Sequence, residues 1–549
     1  MAILTTIESF LPAKSQVPGG YITYLAASFA LLIAVYKVLT YDKRRKSLPP
    51  GPKGLPFIGS LLDFADANKL PEVCLGWAQK YGKISYAKIG GTDFVFLNTP
   101  TVVKDLMDKR GQKYSDRPHM PMAFDAVSNQ KRQFFMPYGD IWRNVRKISH
   151  AALNLKTSSS YKPVQDFESK QVVYDLLHSK NDTDFYDINR RYSNSLIMLI
   201  TYGRRVATME DPAFQKIFKV LEHFTAMAEP GAWLVDAFPS LAKLPSWMVQ
   251  NWWKIGREWH AEDSAIYLGF YRELVEKAKN GTAPECFVRD FYESNPEKNG
   301  VDEEGAAYAA GTLVEAGSES TSTAINSWLL ACLLYPEVVT KAQAELDRVV
   351  GHDRMPTFED EDNLPYIRAM AKETLRWRPI TKIGVSHSTT EDDWYEGYFI
   401  PKGSVVVLNW WSIHFDEKFH KDAQAFNPDR YVNDPLSTAE CLNAADPNAR
   451  DHYTYGAGRR VCSGIHVAQN SLFINMARTL WAFNVKKAKG PDGREVTPPG
   501  TMEDGFLCVP KKFACHFEPR SPKHAKIVEE SWIEAEKEGL SWLRTKHRL

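Results

Sequence analysis

From residue 61 onward, apolar side chains recur mostly at intervals of three and four, the period of a helix that buries one face. This pattern predicts helices over 144–153, 212–226, 252–278, 302–335 and 337–350. The 302–335 stretch contains no proline. At about 1.5 Å per residue, a helix of that length crosses a whole domain and can present one face to a central site. Alternating runs are few. Residues 83–97 read as two short strands about Gly90-Gly91, a hairpin signal, and 405–408 reads as a third. The stretch 433–448 reads as loop, and the chain has no internal repeat. The expected fold class is one large, mainly α domain with a small β part (α+β).

Both ends depart from this pattern. Residues 21–39 are mostly apolar with a single charge, Lys37, and Lys43, Arg44, Arg45 and Lys46 follow closely. A helix of this length matches an apolar bilayer core of about 30 Å. The basic block would then stay cytosolic, with the N-terminal stub on the lumenal side. A cleaved signal peptide is the alternative, but the first basic residue is only Lys14, so the basic n-region is missing. The run Pro49-Pro50-Gly51-Pro52, with Pro56 and Gly59, predicts a stiff hinge. At the other end, Ile527, Val528, Trp532, Ile533, Leu540, Trp542 and Leu543 lie among charges. They predict an amphipathic helix or two, packed on the body or touching lipid. The organisation is therefore 1–46 stub, anchor and basic stop; 47–60 hinge; 61–522 main domain; 523–549 tail.

Composition narrows the function classes. Lys plus Arg number 68 and Asp plus Glu 67, a net charge of +1, which argues against a nucleic-acid binder carried by bulk charge. Hydrophobic residues make 44% and charged residues 25%, which excludes a mostly disordered chain. The 12% of aromatic residues can line a cavity as well as fill a core. The 7 cysteines are scattered and do not read as a disulfide framework, so a reducing compartment is expected for the body. The sequons at Asn181 and Asn280 are then coincidental, although a secreted protein would use them.

The segment Tyr455-Gly456-Ala457-Gly458-Arg459-Arg460-Val461-Cys462-Ser463-Gly464 carries the chemistry. Its glycines permit a tight turn with positive φ and close approach of backbone to a flat group. Backbone N–H groups, the two arginines and the start of a helix over 465–473 would all favour a thiolate at Cys462. Three readings compete: a dinucleotide fingerprint, which lacks a preceding strand and its third glycine; a zinc set of Cys441, His452, Cys462 and His466, whose spacing is irregular; and a structural cysteine.

The segment resembles the haem-binding loop of the cytochrome P450 family, F-x-x-G-x-R-x-C-x-G. Gly458, Arg460, Cys462 and Gly464 match; Tyr455 stands where phenylalanine is usual, and Ser463 where many relatives have proline. Four further constellations extend the resemblance. Glu373-Thr374-Leu375-Arg376 resembles E-x-x-R, and Phe426-Asn427-Pro428-Asp429-Arg430-Tyr431 resembles F-x-P-x-R-F. The resemblance implies a buried network of Glu373, Arg376 and Arg430, against the alternative of a surface ion pair. Trp142-Arg143-Asn144-Val145-Arg146 resembles the C-helix W-x-x-x-R, with Arg460 and His387 as further candidates for the haem propionates. A core histidine is the alternative for His387. Ala316-Gly317-Ser318-Glu319-Ser320-Thr321 resembles the oxygen-activating A-G-x-D/E-T-T, with serine at 320 in place of threonine. Ala316 and Gly317 would remove bulk where a ligand approaches, and the alcohol would take a helical carbonyl and open the ladder. An ordinary small-residue helix contact is the alternative.

The resemblance covers residues from about 21 to 520. It implies a P450 fold behind one transmembrane helix, haem b with Cys462 as the axial iron ligand, and a proton relay of Ser320, Thr321 and Glu319. It implies a monooxygenase of a small hydrophobic substrate, similar to fungal enzymes of secondary metabolism. NADPH would act indirectly, through NADPH–cytochrome P450 reductase, with cytochrome b5 as an optional second donor. Membrane lipid is a further partner and nucleic acid is not. The location implied is the endoplasmic reticulum membrane, single-pass, with the catalytic domain in the cytosol. Candidate pocket walls are Met120, Met122, Phe124, Trp233, Leu234, Leu313, Ala316, Ile380, Ile383 and Phe506. Rival readings are a haem-thiolate isomerase or dehydratase that does not reduce O2, and a non-catalytic haem protein.

Overall fold

The computed structural model describes Ser28, residues 42–229 and residues 231–540. The apolar stretch 21–39 and the last residues, with Trp542 and Leu543, lie outside the described residues. Among the described residues no helix is long and apolar enough to cross a membrane. Two compact units are distinguished. The small one gathers the chain up to Leu48 with Trp394–Phe399; in it Lys43–Ser47 form a 3-10 turn capped by Asp42, which accepts the Arg44 N–H at 2.9 Å. The other holds Pro49–Asp393 and Ile400–Leu549.

The large unit is mainly helical. Its long helices are α1 Leu70–Tyr81, α2 Asp140–Leu153, α3 Lys162–Leu177, α4 Phe185–Tyr202, α5 Pro212–Ala228, α6 Trp252–Lys279, α7 Glu303–Leu334, α8 Pro336–Val349, α9 Pro365–Trp377, α10 Ile465–Ala482 and α11 Pro522–Glu538. All five predicted helices are present, with ends shifted by a few residues. Proline at the first turn sets several starts: Pro212, Pro336, Pro365 and Pro522 each have no N–H to leave unpaired there. The stretch 433–448 is not all loop. Ser437 and Glu440 form a capping box that starts a helical turn, Thr438–Leu442, and Pro447–Ala449 form a 3-10 turn. A reciprocal cap of this kind stabilises a turn too short to show periodicity.

One sheet of four strands runs β1-β2-β4-β3, where β1 is Ile84–Ile89, β2 Thr92–Leu97, β3 His387–Ser388 and β4 Val405–Leu408. The β1–β2 hairpin is antiparallel, β4 joins β2 in parallel, and β3 joins β4 antiparallel. A second pair, β5 Phe483–Lys487 and β6 Cys515–Pro519, is antiparallel. The Pro/Gly segment after Leu48 is not a free spacer. Tyr86 donates its N–H to the Pro50 carbonyl at 2.9 Å, and Gly59 bridges Ile89. A Cβ on Gly51 would stand 1.6 Å from the Tyr86 carbonyl oxygen, so only glycine lets the chain lie this close to β1.

The main core forms around α7, whose residues 306–315 and 322–333 are buried. α7 packs on α4 and α6 along its sides and on α10 and α9. The run of small residues in α7 permits the close approach. A Cβ on Gly317 would come 2.6 Å from the Ile197 side chain of α4, and one on Gly311 2.5 Å from the Tyr267 ring of α6.

Candidate active site

The cysteine loop takes the expected shape. Gly456 and Gly458 have φ of +76° and +66°, and a Cβ on Gly458 would come 2.3 Å from the Met107 carbonyl oxygen. The Cys462 N–H closes the turn onto the Tyr455 carbonyl at 2.8 Å, and α10 begins at Ile465 with Gly464 as its N-cap. Cys462 is exposed, whereas the other cysteines among the described residues are buried. Its sulfur nonetheless lies deep enough for burial to act on it.

The electrostatics differ from the sequence expectation. Burial pushes the Cys462 thiol up, and the Gly464 N–H and the Arg146 guanidinium only partly offset it. Arg459 and Arg460 do not serve the sulfur. Arg459 reaches the Tyr138 hydroxyl, while Arg460 donates to the Ser115 and Met136 carbonyls at 2.6 and 2.7 Å and lies 4.5 Å over the Trp142 ring. A cation bound at the sulfur would supply what the arginines do not.

Basic groups converge beside this loop. Arg146 donates to the Val461 carbonyl, and Trp142 is buried under Arg460. Arg117 joins them. It donates to the Phe134, Val385 and Ser386 carbonyls at 2.8, 2.5 and 2.8 Å. Burial and the neighbouring Arg460 hold its guanidinium well below its usual range. None of Arg117, Arg146 and Arg460 makes an ion pair among the described residues, although Asp116 offsets some of the charge. Arg117 has no motif spacing to Cys462, so the sequence did not single it out. His387 is buried, and its Nδ1 lies 2.7 Å from the Tyr114 carbonyl, so Nδ1 carries the proton. Burial and Arg117 keep the ring neutral. An arriving carboxylate would favour a second proton at Nε2 and compensate the unpaired arginines.

The Glu373–Arg376 pair at the centre of the network that holds the loop is fully buried, with Arg430 partly exposed at its edge. Arg376 pairs with Glu373 through two bonds of 2.7 Å and donates to the carbonyls of His414, Ala423 and Ala425 at 2.9, 2.8 and 3.0 Å. Arg430 joins Glu373 at 3.4 Å, and the Asn427 N–H donates to the same carboxylate at 2.8 Å. His414 links this network to the cysteine loop. Its Nδ1–H donates to the Arg376 carbonyl at 3.1 Å, and its Nε2 accepts the Tyr453 N–H at 2.7 Å. The Thr454 hydroxyl donates to the Leu375 carbonyl at 2.6 Å. Tyr455, three residues before Gly458, is half-buried, and its buried hydroxyl has no hydrogen-bond partner among the described residues.

The alcohol-bearing motif lies on α7. Ala316 is exposed between the two buried stretches of this helix, 306–315 and 322–333. Ser320 donates to the Ala316 carbonyl at 2.7 Å, but the helix stays unbroken, so the expected opening of the ladder is not found. Gly317 does not clear space for a ligand, because it faces Ile197 of α4. Thr321 is half-buried, and Glu319 is held at 3.1 Å by Arg190 of α4, another residue without a sequence signal. Burial pushes the Glu319 carboxyl up, and Arg190 partly offsets this.

The predicted pocket walls divide. Met122 and Phe124 belong to a core cluster, Leu313 is buried, and Leu234 is 45% exposed on the surface. Met120, Trp233, Ile380, Ile383 and Phe506 are half-buried. Among the described residues no group of three or more His, Cys, Asp or Glu side chains could hold a metal ion. The donor set is therefore a single exposed thiol, with arginines nearby that make no ion pair among the described residues. It fits an iron porphyrin with one thiolate ligand and two carboxylates.

Comparison with known proteins agrees. The family model described as Cytochrome P450 matches residues 49–517. The chain is 54% identical over 511 residues to the cytochrome P450 monooxygenase verL of Clonostachys rogersoniana, covering 93% of this chain and 94% of that one. It is 36% identical over 505 residues to the cytochrome P450 monooxygenase virE of Hypocrea virens, covering 91% of each. It is 35% identical over 499 residues to the cytochrome P450 monooxygenase 58 of Postia placenta, covering 90% of this chain and 93% of that one.

Proposed function

Because this chain belongs to the cytochrome P450 family and is a haem-dependent monooxygenase, we propose that it oxidises a small hydrophobic organic molecule in fungal secondary metabolism, with electrons from NADPH through a cytochrome P450 reductase and, optionally, cytochrome b5. The carrying observation is Cys462, the exposed cysteine among buried ones, set at the end of a glycine turn. Bound at Cys462, an iron porphyrin supplies O2 binding and oxygen transfer.

The chain's own residues do the rest. Arg117, Arg146, Arg460 and His387, with the Trp142 indole, hold the two carboxylates of the cofactor and fix its orientation. The Glu373–Arg376 network keeps the cysteine loop from moving. Ser320 and Thr321 bind water on the α7 side. With its proton given to the Ala316 carbonyl, Ser320 Oγ has lone pairs free to accept one from water. Glu319 exchanges protons with solvent once it leaves Arg190, since burial already favours its protonated form. The apolar lining excludes bulk water.

The apolar stretch 21–39 with its basic block supports a single-pass anchor in the endoplasmic reticulum membrane, body in the cytosol. The test of the thiolate is optical. Reduced protein under carbon monoxide should show a Soret band shifted far to the red. A band at the position of imidazole-ligated haem overturns the reading.

A further inference from the structure

A cleft of about 170 Å³ lies in the groove between α9 and α10, and Cys462 does not line it. Arg368 and Lys372 stand one turn apart on α9, His466 and Asn470 one turn apart on α10 with Gln469 beside them, and Lys162 at the start of α3 also lines the cleft. Arg368, His466, Gln469 and Asn470 are half-buried, and none of their side chains makes a hydrogen bond or an ion pair among the described residues. Arginine offers five N–H donors, each amide two and the imidazole at least one. Burial and His150 favour the neutral form of His466, which still donates one N–H.

The other charges of the cleft are already matched. Lys372 pairs with Asp434 at 2.6 Å and lies 3.5 Å from Asp451, and Lys162 lies 3.4 Å from Glu361, which also lines the cleft. Glu440 acts on Arg368 through space, but it is exposed and its carboxylate caps the Ser437 N–H and hydroxyl at 2.8 Å. Arg368 is left as a cation without a contact partner, in a concave place where water screens its charge less than on an open surface. The volume is below the roughly 300–1,000 Å³ of a site for a drug-sized molecule, so the occupant is a small ion or one charged group. The planar fork of an arginine pairs with a phosphate or a carboxylate through two parallel bonds, and the amides on the facing helix can take the remaining oxygens.

We propose that this cleft binds a small oxyanion, inorganic phosphate or the acidic group of a small metabolite, between Arg368 of α9 and the Gln469 and Asn470 amides of α10. The ion ties together the two helices that hold the cysteine loop: the Leu375 carbonyl of α9 accepts the Thr454 hydroxyl at 2.6 Å, and α10 begins three residues after Cys462. Its binding to the folded chain stabilises the haem-loaded protein by mass action. The full-length holoprotein is dialysed to equilibrium against radiolabelled phosphate and, separately, against acetate, at an ionic strength held constant with sodium chloride. Phosphate should bind with a Kd below about 1 mM. Acetate binding as tightly assigns the cleft to carboxylates, and acetate failing to bind assigns it to phosphate groups; either outcome supports the site. At about a hundred times its Kd, phosphate should raise the denaturant concentration at which haem is released. Arg368→Gln should weaken binding at least about tenfold and remove that shift, while the carbon monoxide band keeps its position. Gln469→Leu combined with Asn470→Leu gives the same reading if the first variant does not fold. Binding of neither anion below about 10 mM, or an affinity that these substitutions leave unchanged, overturns the proposal.

Discussion

A thiol that burial pushes upward, as at Cys462, becomes a good ligand only when a cation replaces its proton. The sequence pattern located this residue because glycine adopts positive φ without strain, and Gly456 and Gly458 mark the turn without help from tertiary structure. The same pattern misassigned the arginines. A side chain's direction is not in its spacing, and Arg460 points toward Ser115 and Met136. Arg117 and Arg190 were invisible for the same reason, since each works through a partner hundreds or more than a hundred positions away in the chain. Gly317 shows the reverse error: its smallness serves packing on Ile197. At this scale the relay is testable. Ser320→Ala with Thr321→Ala removes both alcohols and leaves α7 unbroken, because alanine favours a helix. Product formed per NADPH consumed should fall severalfold, with the lost electrons appearing as peroxide. Unchanged coupling would remove both alcohols from the relay.

Between elements, the strongest tie is the Glu373–Arg376 pair of α9. Its charges are fully buried, so its worth lies in what happens when it is half removed. Glu373→Gln leaves the Arg376 charge with carbonyl partners only and should cost about 3–5 kcal/mol in unfolding free energy. The loss should reach the cofactor, because the carbonyls of Leu375 and Arg376 hold Thr454 and His414, and His414 accepts from Tyr453. Denaturant titration and haem retention should fall together in this variant. A stability loss below about 1 kcal/mol would mean that the pair behaves as a surface one. The E-x-x-R and the N-P-D-R segments were legible as motifs; His414 was not, since a lone histidine after a strand signals nothing until its two ring nitrogens are seen to be used.

On the scale of the whole molecule, buried neutral histidines set the response to acid. His387, His414 and His452 are all depressed, by burial first; His452 is lowered to about 4. The folded state resists their protonation, while the unfolded chain accepts it below about pH 6.5. Their contribution is complete above that pH and is lost as pH falls through each group's lowered value, about 4 for His452, with a slope of up to about 1.4 kcal/mol per pH unit for each group. Asp236 acts oppositely. Burial raises its carboxyl to about 7, so its cost grows as pH rises from about 3.8 to about 7 and then levels off. Denaturant midpoints should therefore fall steeply below pH 6.5, and His452→Gln should flatten that fall. The second whole-molecule effect comes from α11, which lies beyond the matched family region at 49–517. The amphipathic pattern showed that this tail is a helix, but not which surface covers it. Trp532 is 4% exposed, with its ring 5.3 Å from Phe167 and 6.0 Å from Tyr174 of α3, and the Arg205 guanidinium stands 5.6 Å over it. α3 in turn holds α10: Gln165 donates to the Val467 carbonyl and to Ser471, both at 2.8 Å, and Arg478 pairs with Asp166. α10 starts three residues after Cys462, so the tail braces, through α3, the helix that follows the thiol. Trp532→Ala should cost about 3–5 kcal/mol by leaving an apolar void against α3. Because no polar bond to the cysteine loop is touched, the carbon monoxide band should keep its position while the haem is released at a lower denaturant concentration. A moved band with unchanged stability would instead place the tail in the electronics of the site, and unchanged values of both would show that α3 and α10 stand without it.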